Sequence, residues 1–258
     1  MDSGSQLPEP WTPLLIALVG AGVFFYGVSK TAMPVLGVLA SPLLVLALTP
    51  TIAAGFVVPM LIAGDFIALA LYRQHANWRL IRKLVPGVLL GFVITALMFI
   101  YLDTAVLSRL VGVIILVSVV SEIWRQRGAG GEHESAPVLA NSAATLLFGT
   151  VTGITTMAAN SGGAALSMYL VRMRVPMLVF MGTSTWFFFV LNVLKVPFVL
   201  ALGLITPASL LANLWFAPAL GLGAFAGAFV FRRMSQVVFV RIALGLSAVA
   251  SIWLVIHG

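Results

Sequence analysis

The sequence predicts an all-α, polytopic helical membrane protein made of two inverted-topology repeats of about five segments each. Of its 258 residues, 61% are hydrophobic and only 8% are charged, whereas a soluble globular domain carries roughly 25% charged residues. Such a chain cannot coat a water-facing surface with what it has. Its apolar residues run continuously, in stretches near the ~20 residues that a membrane helix needs. A β-barrel would alternate polar and apolar residues between polar turns. The third observation is that the two halves of the chain carry similar residues at a nearly fixed spacing.

Hydrophobic segments follow one another at about 11–28, 33–48, 50–72, 84–102, 107–124, 139–159, 163–172, 176–203, 208–231 and 236–256. The segments 33–48 and 163–172 are short. The second reaches only ~15 Å as a helix at 1.5 Å per residue, against a hydrocarbon core of ~30 Å. Each is expected to be the returning arm of a broken or re-entrant hairpin, with breaks near 27–33 and 157–164. The one clear hydrophilic linker is RQRGAGGEHESAP, residues 125–137. It separates a first transmembrane repeat, 1–124, from a second, 138–258.

At an offset of 126, Gly27-Val28-Ser29-Lys30-Thr31 matches Gly153-Ile154-Thr155-Thr156-Met157. Gly37 matches Gly163 and Pro50 matches Pro176 at the same offset, while Pro86 and Gly91 match Pro218 and Gly223 slightly shifted. Five segments per half is an odd number, so the second half enters from the opposite face. That is the architecture of many secondary transporters.

Charge placement agrees. Loops on one side receive Arg73, Arg79, Arg82, Lys83, Arg125, Arg127, Arg172, Arg174, Arg232, Arg233 and Arg241, and those on the other only Arg109. Basic loops face the cytoplasm, which places the 125–137 linker there and both termini on the non-cytoplasmic side. Trp78 in HANWRLIRK reads as an interfacial anchor among these charges. The net charge of +7 is explained by orientation and calls for no nucleic acid. The start MDSGSQLPEP is acidic and has no basic region, so a cleaved signal peptide is not expected.

Several chemistries find no residues here. There are no cysteines, and His75, His133 and His257 all fall in loops or at the end. No His–Ser pair lies at depth for an intramembrane protease, and no ligand cluster has metal spacing. No Walker motif occurs. The chain is expected to be no enzyme and to need no cofactor and no metal.

Short, glycine-interrupted segments at corresponding places in inverted halves point to a binding site. After each break a new helical arm starts with unpaired N–H groups and partial positive charge, an end suited to an anion. Gly162 and Gly163 let a ligand approach the backbone, or serve close helix packing. Ser29, Lys30 and Thr31 lie at the first break, Asn160 and Ser161 at the second. A mid-membrane lysine costs ~2.5–3.5 kcal/mol on the insertion scale, so Lys30 faces a cavity or partner unless it is one more orienting charge at the cytoplasmic face. Removing it is expected to abolish transport without loss of folding.

Lys195 follows Asn192 by one turn on the same helix face, or snorkels outward. Asp65 is the acid deepest in an expected span, able to pair with a lysine or to exchange a proton for coupling. Two lysines against one aspartate favour an anionic substrate. Thr183, Ser184 and Thr185 donate to oxyanions or bond their own helix backbone.

These residues resemble those of one family. GVSKT (27–31) with LASPLL (39–44), PMLIAGDFIALALYRQHANWRLIRKLVPGVLLG (59–91), TGITTMAANSGGAALSMYLV (152–171) and FMGTSTWFFFVLNVLKVPF (180–198) are similar in order and spacing to the patterns of the TauE/SafE family of bacterial membrane exporters of sulfite and organosulfonates. The resemblance covers nearly the whole chain. It implies a secondary transporter, an exporter of small sulfur-containing anions such as sulfite or sulfoacetate, in the bacterial inner membrane. It carries Ser29, Lys30, Asp65, Gly162, Gly163, Thr183, Asn192 and Lys195 onto family-patterned positions. This sequence departs at Thr31-Ala32, where the family has glycines, and at Asn160, where it has a histidine. The alternatives are a channel-like anion pore and an uptake permease for another small carboxylate or sulfonate. A homo-oligomer is compatible with all three.

Overall fold

In a computed structural model, residues 11–48, 50–101, 142–159, 162–201 and 203–257 are described, with isolated residues between 109 and 120. Their elements are α1 (Pro13–Thr31), α2 (Gly37–Ala47), α3 (Pro50–Tyr72), α4 (Trp78–Tyr101), α5 (Ser142–Ala159), α6 (Gly163–Arg172), α7 (Met177–Ala201), α8 (Pro207–Arg232) and α9 (Gln236–His257). Short 3-10 turns at Pro34–Leu36 and Arg73–His75 join α1 to α2 and follow α3. Among the described residues there is no strand. The chain is a polytopic all-α membrane protein: five of the helical stretches, 13–31, 55–75, 177–201, 207–232 and 236–253, are long and apolar enough to cross a bilayer. Most of the expected segment 107–124 and all of the linker 125–137 lie outside the described residues.

Two boundaries differ instructively from the sequence reading. The stretch GVSKT remains helical, and α1 ends only at Thr31. The chain then turns at Ala32–Met33 before Pro34, because a proline disfavours helical backbone in the residue before it. Helix α5 ends at Ala159 and α6 starts at Gly163, capped by Gly162, at the bounds expected. Helix α4 begins at Trp78, six residues before the hydrophobic run expected from 84. Asn77 explains it: its Oδ1 accepts from the N–H groups of Arg79 at 3.1 Å and Leu80 at 3.3 Å, a side-chain N-cap.

Two compact units are present, one of residues 1–76 with 181–233, the other of residues 77–180 with 234–258. In the first, α1 packs along α8 and α2, and α3 packs on α8 and α1. Its apolar core includes Val19, Val23, Tyr26, Leu44, Phe56, Met60 and Leu220. The α1–α8 crossing brings backbones together: a Cβ on Gly27 would meet the Leu220 carbonyl, and one on Gly223 the Phe24 carbonyl. Small residues at a membrane helix crossing allow this approach, and packing there replaces the hydrophobic drive that lipid does not supply.

In the second unit, α4 crosses α5 in the same manner through Gly87, Gly91, Gly149 and Gly153. Helix α6 packs on α5 and α9, and every residue from Gly163 to Val171 is buried. Ten residues make ~15 Å of helix, too short to span, so α6 is a half-helix enclosed by protein. Buried hydroxyls here bond their own helices: Thr95 to Gly91 O at 2.8 Å, Thr152 to Phe148 O at 2.7 Å and Thr155 to Val151 O at 2.8 Å.

Candidate functional site

The end of α1 is held in place before it presents its lysine. Ser29 Oγ donates to Tyr26 O at 2.8 Å. Thr31 Oγ1 reaches across to α8 and donates to Ala224 O at 2.7 Å. The Tyr72 hydroxyl, from the end of α3, donates to Thr31 O at 2.7 Å. These bonds satisfy carbonyls that a helix end or a crossing leaves short of partners and fix the direction of the last turn.

Lys30 then lies against α3. A Cβ on Gly64 would stand 2.9 Å from Lys30 Cγ, so the bare glycine makes room for the lysine stem. The ammonium donates to Asp65 Oδ1 at 2.5 Å, and the other carboxylate oxygen, Oδ2, accepts from Asn192 Nδ2 at 2.7 Å. Asp65 is 0% exposed and the Lys30 side chain 10%. The Phe188 ring lies 5.6 Å from the ammonium, within cation–π reach. Lys195, one turn beyond Asn192 on α7, is buried and interacts electrostatically with both Lys30 and Asp65.

Asp65 stands midway along the apolar stretch Gly55–His75, ~15 Å from either end at 1.5 Å per residue. The Lys30 ammonium therefore reaches from the last turn of α1 to the C-terminal half of α3. The structure brings together Lys30, Asp65 and Asn192, with Lys195 close by. Ser29 and Thr31 hold the backbone beside them. Thr183, Ser184 and Thr185 are buried near the start of α7, ~14 Å along that helix from Asn192 for Thr183. Gly162 and Gly163 open α6 in the other unit, and Asn160 and Ser161 lie outside the described residues. Gly64, Tyr72 and Phe188 were not singled out by sequence. Gly64 and Phe188 belong to the arrangement through contacts between helices, which no local pattern carries.

One carboxylate, one amide and two ammonium groups inside apolar helices leave one positive charge in excess when all are ionised. Such a cluster can hold an anion. The comparison with known families decides which kind of protein holds it: residues 13–254 match the model described as Sulfite exporter TauE/SafE. The chain belongs to the TauE/SafE family. Neither the curated proteins nor the solved structures searched gave a match. TauE/SafE proteins are membrane transporters of the sulfite exporter type, and residues 13–254 take in every charged and amide group just described.

Within this TauE/SafE chain, the Tyr72 bond to Thr31 offers a local test. Tyr72→Phe removes the hydroxyl and leaves a buried carbonyl without it, so stability should fall by about 1–2 kcal/mol. The fall is measured as a lower midpoint of thermal unfolding in detergent. An unchanged midpoint would mean that this bond does not hold the end of α1.

Proposed function

We propose that this TauE/SafE protein is a secondary transporter that exports small sulfur-containing anions, sulfite or organosulfonates, through a mid-membrane site at Lys30, Asp65, Asn192 and Lys195. The buried cluster itself carries the reading. Ionisable residues inside membrane spans are costly, face the protein interior and mark ion or substrate paths. In α1, α2, α3, α7 and α8, Lys30, Asp65, Lys195 and the terminal Arg232 are the charged residues, and the first three gather at one place. The ammonium groups attract the anion. The Asn192 amide, oriented by Asp65, selects geometry at that point. Access alternates between the two membrane faces.

The inverted repeat belongs to the same proposal, with repeats 1–124 and 138–258 joined by a cytoplasmic linker and both termini on the non-cytoplasmic side of a bacterial inner membrane. Equivalent positions make similar contacts, which supports it. Gly27 lies on Gly223 of α8, and Gly153, 126 residues on, lies beside Gly91 of α4. The Asp65–Asn192 bond joins residues 127 apart, within one position of the same offset. Thr183, on the same helix as Asn192 and Lys195, enters as a further substrate contact.

The test is sulfite flux into proteoliposomes. Purified protein should move sulfite above protein-free vesicles, and Lys195→Met should lower that flux about 10- to 100-fold, the worth of one charge-assisted contact. Undiminished flux in the variant would remove Lys195 from the site.

A further inference from the structure

The fold leaves the amide of Asn213 unexplained. This residue of α8 is 8% exposed, and neither its Nδ2 nor its Oδ1 has a hydrogen-bond partner among the described residues. An asparagine side chain offers two N–H donors and one carbonyl oxygen, and burying them unpaired costs stability. Asn192, by contrast, donates to Asp65. Ser209, one turn before Asn213, is buried too but is already engaged in a capping box with Thr206. Along the same stretch of α8, Ala212 and Leu220 belong to the apolar core with Phe56 and Met60. Packing alone would be served better by an apolar side chain.

We propose that Asn213 is a second station for the transported anion, on the non-cytoplasmic side of the Lys30–Asp65 cluster, where its Nδ2 donates to an oxyanion on the way out. This rests on the reading of the cluster as the anion site.

Helix register sets the order of the stations. Helix α8 runs alongside α3 in the same direction, since Phe56 meets Phe216 and Tyr72 meets Phe231. Leu220 lies beside Gly64, the residue that the Lys30 stem crosses. Asn213 is two turns earlier on the same face of α8, ~10 Å nearer its start. Helix α7 runs the opposite way: Gly182 lies beside Tyr72, and Leu204, just past the helix, lies beside Gly55. Lys195 is therefore displaced from Asn192 toward the start of α8, by ~4.5 Å. In depth the order is Asp65, Lys195, Asn213.

A neutral amide donates to sulfite, a sulfonate or a carboxylate alike, so the station serves both sulfite and sulfoacetate. Its hydrogen bond gives the anion a weaker second hold as it leaves the cluster, and multiple sites of modest strength let an ion move on.

The chain contains no cysteine, so Asn213→Cys introduces a single thiol. In proteoliposomes, sulfonatoethyl methanethiosulfonate, itself a small sulfonate, should label that thiol, and sulfoacetate should slow the labelling. Asn213→Leu should lower the flux of sulfite and of sulfoacetate about tenfold, the worth of one hydrogen bond to a charged group. Its thermal midpoint in detergent should stay at or above that of the wild type, because an apolar group replaces an unpaired amide. A lower midpoint or a failure to fold would show that the amide serves the structure, and would overturn the proposal. Undiminished flux in Asn213→Leu, or a thiol that is unlabelled or unprotected, would do the same. Wild-type flux with any of these results removes Asn213 and leaves the transport reading standing, whereas no wild-type flux of either anion removes both.

Discussion

Asp65→Ala should abolish sulfite flux and destabilise the folded protein by about 3–5 kcal/mol, because it leaves the Lys30 ammonium buried without its partner. Asp65 is fully buried and spends both carboxylate oxygens, one on Lys30 and one on Asn192. Nothing apolar can replace either bond. Lys30→Met should lower stability similarly, by stranding the carboxylate. The double variant Lys30→Met with Asp65→Leu should recover much of the loss, since replacing a whole buried ion pair by apolar residues is often neutral or better. It should still not transport. A double-mutant cycle on thermal unfolding in detergent, read beside sulfite flux, separates the two effects. Stability costs that simply add would show that the pair is not coupled.

Gly223→Ala should disrupt the first unit, whereas Gly221→Ala, two residues earlier on the same helix, should not. A Cβ on Gly223 would run into the carbonyl of Phe24, which is backbone and cannot rotate away, while one on Gly221 meets nothing within 4 Å. The first substitution forces α8 off α1 and costs about 1–3 kcal/mol as an overpacking strain. It also pulls Ala224 O from Thr31 Oγ1, a bond of 2.7 Å that holds the α1 terminus, so transport should fall with stability. Size-exclusion profiles and melting midpoints of the two variants give the comparison. Equal behaviour would mean that the crossing tolerates a methyl group.

Much of the fold follows from local pattern. Continuous apolar runs mark α3 at 50–72 and α6 at 163–172 with the same bounds that the helices have. The start of α4 does not follow, because the charged turn WRLIRK breaks the hydrophobic run while Asn77 quietly caps it. At the site, sequence yields the rare groups, since Lys30, Asp65 and Lys195 stand out in an uncharged background. It offers a lysine as partner for Asp65 but does not say which, and it does not yield Asn192 as the second. Lys30 and Asp65 are 35 residues apart and Asp65 and Asn192 are 127 apart, distances at which helical periodicity says nothing. The ion pair also gives Lys30 a second consequence. Sequence casts it as a group whose loss costs transport alone, and the buried carboxylate adds a stability cost. Gly64 would pass as one more small residue in α3 until the lysine stem is seen lying across it.

The Lys30–Asp65 pair also has a meaning for biosynthesis. An acid such as Asp65 costs up to ~2.5–3.5 kcal/mol inside a membrane helix, the figure for its centre, and Lys30 reaches it from the last turn of α1. Asn192 leaves the ribosome 127 residues after Asp65, roughly 6–25 s later at about 5–20 residues per second. Throughout that interval α1, α2 and α3 exist without α7. Two opposite charges encoded 35 residues apart let this early segment neutralise itself while it waits, so the nascent chain needs no help from its unmade half to keep α1 and α3 inserted.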